Sequence, residues 1–284
     1  MFCGLVSTAL LVPGATIAKE AKSGPTLADL EASERIVFSQ FGEDGVIEKI
    51  FETIEPGPKF AVEFGAHDGV QNSNMRNLVL NHGWSTYQIE GSKPLAEKLA
   101  KAYAGHPTTK TEQAWIWPGN IEVLFEDAGV PRDLDLLVID IDSNDYWVWR
   151  AIHDFRPKVV VIETNPFFPP PELMVVKYHP MNYWDYTYYV GASMQSLVNL
   201  GKQKGYELLY QMKTGPNVFF VAKEYLPLFA IEDNSPEKIY RWLPPEVQNA
   251  PRGNWGRNGN PWPEGKDRLY WKAFEIPKEF ITNR

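Results

Sequence analysis

The stretch Leu134–Pro166, LDLLVIDIDSNDYWVWRAIHDFRPKVVVIETNP, decides the fold. It holds two apolar runs rich in β-branched residues, Leu134–Ile139 and Val159–Ile162. The first runs into Asp140 and Asp142, the second into Glu163 and Asn165. Strands of a parallel sheet read as near-continuous apolar runs because helices cover both faces. Between the runs, Asp145–His153 fits one short amphipathic helix, with Asp142, Ser143 or Asn144 as its N-cap. Strand, helix and parallel strand at this spacing make a βαβ unit, whose right-handed crossover brings both strand ends to one edge. Ligands of such sheets collect beyond the carboxyl ends of the strands. Asp140, Asp142, Glu163 and Asn165 are therefore expected to converge where chemistry would occur.

The same alternation continues on either side. Ser23–Ser33 reads as a polar lead-in and Ser39–Ile54 as a helix with Val46, Ile47, Ile50, Phe51 and Ile54 on one face. Strand Lys59–Glu63 leads to helix Asn72–Asn81, strand Ser85–Ile89 to helix Lys93–Tyr103, and strand Lys110–Ile116 to helix Asn120–Ala128. After the central pair, helix Ser193–Lys204 precedes two final strands, Tyr206–Gln211 and Asn217–Ala222. The pattern predicts an α/β fold: a Rossmann-like doubly wound sheet of about seven strands spanning residues 34–225. Inserted in it, residues 167–190 are too long and too rich in proline and aromatics for a simple connection. They are expected to form a lid over the site. Residues 226–284 read as an irregular extension able to cover the site.

Residues 1–33 read as a leader and linker. Phe2–Ile17 is mostly apolar, and Ala18 suits a signal-peptide cleavage site, but no Lys or Arg precedes Lys19. Export and a cytoplasmic location both stay open. Pro13 and Gly14 interrupt a stretch that is short for a membrane span. A net charge of −8 gives no general attraction to nucleic acid or to anionic membranes. The single cysteine, Cys3, excludes an intrachain disulfide and a cysteine-based metal cluster.

Glu63-Phe64-Gly65-Ala66-His67-Asp68-Gly69 follows the first strand. Glycines there permit tight turning and close backbone approach to a ligand, and Glu90, ending the next strand, suits the two hydroxyls of a ribose. His67 and Asp68 share the loop, where His67 is a candidate for proton removal. The acidic quartet carries a charge argument. Carboxylates brought together repel unless some are protonated or a cation neutralises them, and an all-oxygen set favours Mg²⁺, Mn²⁺ or Ca²⁺. Tyr178, His179, Trp184 and Asp185 of the lid are candidates for substrate contact.

Taken in order, SQFGEDGVIEKIF, VEFGAHDG with SNMRNL, IEGS, IDIDSNDYWVWRAI, PKVVVIETNP, WDYTYYVGASMQSL and KGYELL with GPNVFFV resemble a bacterial group related to FkbM-type methyltransferases. The resemblance covers about residues 39–223. It implies the class I methyltransferase fold and S-adenosylmethionine as cofactor, with Glu63, Gly65, Asp68 and Gly69 in the binding loop and Glu90 on the ribose. The Asp140-Ile141-Asp142 block also resembles metal-dependent sugar O-methyltransferases related to macrocin O-methyltransferase. That likeness implies a cation at Asp140, Glu163 and Asn165, with Asp142 beside them. The expectation is an O-methyltransferase, assisted by a divalent cation, acting on a hydroxyl of a sugar or glycosylated small molecule. Two other readings keep the same residues: a secreted metal-dependent hydrolase, and a noncatalytic glycan-binding protein.

Overall fold

The computed structural model describes residues 23–180, 182–183 and 190–241, with the backbone of 270–271. The leader before residue 23, the lid residues Trp184 and Asp185, and the tail beyond 241 apart from that pair lie outside the described residues.

Two helices, α1 (Leu27–Ser33) and α2 (Glu43–Ile54), precede the first strand. Then β1 (Phe60–Phe64), α3 (Arg76–His82), β2 (Ser85–Glu90), α4 (Lys93–Tyr103), β3 (Thr109–Gln113) and α5 (Ile121–Ala128) alternate. The central unit is β4 (Leu136–Ile139), α6 (Asp145–Ala151) and β5 (Val159–Glu163). A short strand β6 (Val175–Val176) lies in the 167–190 insertion, and α7 (Met194–Gln203), β7 (Tyr206–Gln211), β8 (Asn217–Ala222) and α8 (Pro236–Ile239) follow. The last described element is β9 (Tyr270–Trp271).

Seven strands form one sheet in the order β3-β2-β1-β4-β5-β8-β7. The first five are parallel, and β8 runs antiparallel to both β5 and β7. This is the Rossmann-like doubly wound sheet of about seven strands that the sequence pattern predicts. Alternate residues serve opposite faces, and both faces are covered. Val62, Phe64, Leu137, Ile139, Val160 and Phe220 pack with Phe125, Trp149 and Leu197 of α5, α6 and α7. Ala61, Leu136, Val138, Val161 and Phe219 pack with Val46, Ile50 and Leu78 of α2 and α3. Burial on both faces is why the central strands β1, β4, β5 and β8 read as near-continuous apolar runs, while the edge strand β3, TKTEQ, is polar.

Several boundaries move, each for a local reason. Residues 27–33, read as lead-in, form α1, because Thr26 and Asp29 make a reciprocal capping box and Leu30 is buried. The second helix starts at Glu43 rather than Ser39. One oxygen of Asp44 accepts the backbone N–H groups of Val37, Phe38 and Ser39 at 2.9, 2.7 and 2.7 Å, which wraps the preceding segment around the helix start. The helix after β1 is delayed to Arg76 by the loop described below. Residues 226–241, read as extension, belong to the body: Phe229, Ile231 and Ile239 are buried, and the Ala230 N–H donates to the Pro25 carbonyl. Further along, Tyr270–Trp271 pairs antiparallel with Val175–Val176 of the 167–190 insertion. No helix among the described residues is long and apolar enough to cross a membrane.

Candidate functional site

The strand order reverses between β1 and β4, and an open crevice is expected at their carboxyl ends. The two strand ends come very close there. Gly65 has φ +69°, and a Cβ on it would lie 1.8 Å from the carbonyl oxygen of Asp140. Beyond Gly65 the loop is tied to β2: the Ala66 N–H donates to Ile89 and the His67 N–H to Glu90 Oε2 at 2.9 Å. The other Glu90 oxygen accepts the Ser92 N–H at 2.7 Å, so this carboxylate is held rigidly at the cleft wall. His67, Asn72 and Asp142 all have positive φ, at 50°, 57° and 62°, and all three line the cleft. Backbone strain at non-glycine residues concentrates at functional sites.

The cleft has a volume of about 330 Å³ and two unlike halves. Ile89, Leu95, Ala114, Trp115 and Ile116 give one half an apolar wall, with Glu90 at its edge. The Trp115 ring lies against Gly91, where a Cβ would come within 2.7 Å of it, and its indole N–H donates to the Pro180 carbonyl at 2.9 Å. Sequence reasoning missed this wall. The available signal was AWIWP, a pair of tryptophans directly after a strand.

The other half is acidic. Asp140, Asp142 and Glu163 each place a carboxylate oxygen within 4.8 Å of the others. Burial, then Asp142, Asp145 and Glu63, hold the Asp140 carboxyl well above the ordinary range. Burial, then Asp140 and Asp142, do the same to Glu163. Asp142 is an exposed residue whose carboxyl reaches down among the others; desolvation and then Glu90 raise it. Asp145, fully enclosed, is pushed up to about 7 although its Oδ1 accepts the Ile141 N–H at 2.9 Å. Among the described residues no lysine or arginine lines the cleft. Asp145 Oδ2 and Asn144 Oδ1 are buried without any donor. Oxygen acceptors thus outnumber donors, and the donor set suits a hard divalent cation.

The remaining expected residues take other places. Glu63 does not line the cleft. It sits behind it, with Oε1 accepting the Asn74 N–H at 3.1 Å, Oε2 unpartnered, and its pKa pushed up to about 8 by burial. Asp68 closes the loop turn by accepting the Val70 and Gln71 N–H groups, both at 2.9 Å. Gly69 packs against α4, where a Cβ would lie 2.5 Å from Leu99. Neither Asp68 nor Gly69 lines the cleft. The Asn165 amide is engaged with lid backbone: its oxygen accepts the Phe167 N–H and its nitrogen donates to Val190. Tyr178 packs edge-on against Trp147, and the His179 carbonyl accepts from Asn144. Among the described residues of the 167–190 insertion, Asn182 and Tyr183 line the cleft.

Glu63 gives a pH prediction. Its folded pKa lies above its ordinary value of 4.5, so the folded state holds a proton that the unfolded state releases. Stability must therefore fall as pH rises from about 4.5 towards 8. Glu63→Gln keeps the acceptor for Asn74 and removes this loss. Denaturant titrations should find the variant close to wild type in acid and more stable by about 2–5 kcal/mol above the shifted pKa. Equal pH slopes for both proteins would show that the carboxyl is solvated.

No family model matches the chain, and no curated protein does. Among solved structures it is similar to the N-terminal domain of EvdMO1 with SAH bound, at 14% identity, covering 63% of this chain and 78% of that one, TM-score 0.40. It is also similar to the CMeT domain of the citrinin polyketide synthase, at 14% identity, 64% and 51% coverage, TM-score 0.42. A third is the methyltransferase domain of bacterial CtHen1-C, at 12% identity, 63% and 95% coverage, TM-score 0.40.

Proposed function

We propose that the protein is an S-adenosylmethionine-dependent O-methyltransferase of FkbM-like type, acting with a divalent cation on a hydroxyl of a sugar or glycosylated small molecule. The observation that carries this reading is the junction of two surfaces in one cleft. An apolar wall ending in a fixed carboxylate, Glu90, runs directly into the acidic group of Asp140, Asp142 and Glu163.

Each half suits one reactant. When bound, S-adenosylmethionine supplies a methyl group on a positively charged sulfonium. Trp115, Ile116, Leu95 and Ile89 offer a flat apolar surface for its adenine, and Glu90 offers acceptors to its ribose hydroxyls. Gly65 lets the backbone approach closely beside the acids. Asp140, Asp142 and Glu163 would hold the cation, which when bound lowers the pKa of a neighbouring hydroxyl. Asp142, open to the cleft, and His67 are the candidates to accept the proton of the acceptor hydroxyl. Among the described residues no lysine or arginine lines the cleft, and such a lining suits a neutral polyol better than a phosphorylated or carboxylated acceptor. Asn182 and Tyr183 offer a polar and an aromatic contact to such a ring.

Calorimetric titration with S-adenosylhomocysteine tests the reading. Wild type should bind, and Glu90→Ala should weaken binding by about 30-fold, the worth of charge-assisted hydrogen bonds to two hydroxyls plus a loosened loop. Trp115→Ala should cost about tenfold. Cation binding in the absence of any cofactor binding would replace the transferase with the metal-dependent hydrolase.

A further inference from the structure

Asn144 stands between the acids and the lid. Its Nδ2 donates to the His179 carbonyl at 2.9 Å, which fixes the orientation of the amide. That leaves Oδ1 buried and without a donor, on a residue only 3% exposed that lines the cleft together with Asp140 and Asp142. Asp145, 1% exposed, also has a buried oxygen without a partner, and it lies close enough to act electrostatically on Asp140 and Glu163. A buried acceptor left without a donor destabilises the folded state. Two such acceptors, on the residues that follow Asp142 and Ser143 in the chain, leave this end of β4 with more acceptors than donors. The amide assigned to the cation from sequence, Asn165, has its oxygen and nitrogen engaged by Phe167 and Val190.

We propose that Asn144 Oδ1, rather than Asn165, is the neutral oxygen ligand of a divalent cation held by Asp140, Asp142 and Glu163, and that Nδ2 of the same amide ties cation binding to the lid at His179. This rests on the cation-assisted reading of the site. Hard cations accept side-chain amide carbonyls alongside carboxylates. One amide then serves two partners: its oxygen faces the ion and its nitrogen holds the lid backbone. The Asp142 backbone, at φ +62°, turns the chain so that Asp140, Asp142 and Asn144 share one wall.

The test uses the full chain and manganese chloride, read by calorimetry and by the electron paramagnetic resonance of free Mn²⁺. Asn144→Ala should weaken Mn²⁺ binding by about tenfold or more. Asn144→Asp restores an oxygen ligand but has no N–H for His179. It should bind Mn²⁺ at least as well as wild type, while Mn²⁺ no longer slows amide hydrogen exchange at residues 175–180. If Asn144→Ala does not fold, the Asp variant alone decides the matter. Wild type that binds S-adenosylhomocysteine but no Mn²⁺ removes the cation from the reading and the proposal with it. Wild type that binds Mn²⁺, with Asn144→Ala within about twofold of it, overturns the Asn144 assignment and leaves the cation in place. Equal weakening by Ala and Asp would mean that the amide serves only the lid, and would also overturn it.

Discussion

Gly65→Ala is expected to melt far below the wild type and to lose S-adenosylhomocysteine binding altogether. Two costs add at this position. The backbone sits at φ +69°, which is unfavourable for any residue with a Cβ by about 1–2 kcal/mol. The added methyl would also lie 1.8 Å from the Asp140 carbonyl oxygen, an atom of the neighbouring strand end that no rotamer change can move aside. Relief requires β1 and β4 to part at their carboxyl ends, and that opens the cleft where the cofactor is proposed to sit. A total of about 4 kcal/mol, or roughly 10 °C in Tm, is a reasonable scale. Gly83→Ala is the control. Gly83 has nearly the same backbone conformation, φ +68°, but nothing within 4 Å of the position its Cβ would take. It should lose only the conformational part, about 1 kcal/mol. If the two variants melt within about 2 °C of each other, the contact between the strand ends is looser than the geometry implies.

Asp140→Asn is expected to do the opposite in metal-free buffer and raise the melting temperature. Asp140 is surrounded by Asp142, Asp145, Glu63 and Glu43, and burial is the largest reason its carboxyl resists ionisation. A carboxyl with a raised folded pKa gives up stability as pH climbs through the range above its ordinary value. Neutralising it as an amide should therefore add about 3 °C or more at alkaline pH, and the difference should close in acid, where the wild-type group keeps its proton. A divalent cation should reverse the order. At about a hundred times its Kd a ligand stabilises the folded state by about 2.7 kcal/mol, and only the wild type retains the full carboxylate set. Thermal melts with chelator and with Mg²⁺ at pH 8 would check both halves. A variant less stable than wild type in chelator would mean that Asp140 is held by donors rather than crowded by acids.

Such a trade, in which a group that weakens the folded state is kept at a site, is a signature of function over stability. The sequence carried that signal at Asp140, Asp142 and Glu163, because carboxylates at the ends of apolar strands have no packing role. It was weaker for Asn165 and Asp68. Both are short polar side chains able to bind nearby backbone, and in the folded chain that is what they do, at the lid base and in the loop turn. Trp115, Asn182 and Tyr183 were not recognised. Their part depends on which loop folds over which strand end, and nothing in local periodicity encodes that.

The sequence by itself determined the order of the main strands and helices, the terminal pair of strands and the sheet edge at which the acidic side chains end. Apolar runs, helical spacing and crossover handedness are properties of the chain read locally, and they leave few ways to stack the pieces. The tertiary structure alone decided which residues share a surface. Gly65 meets the Asp140 carbonyl across 75 positions of sequence, and Asn144 reaches the lid at His179 across 35. Contacts at that range follow from the closing of the whole sheet, so the cleft, its apolar wall and its surplus of oxygen acceptors appear only when the sheet is complete.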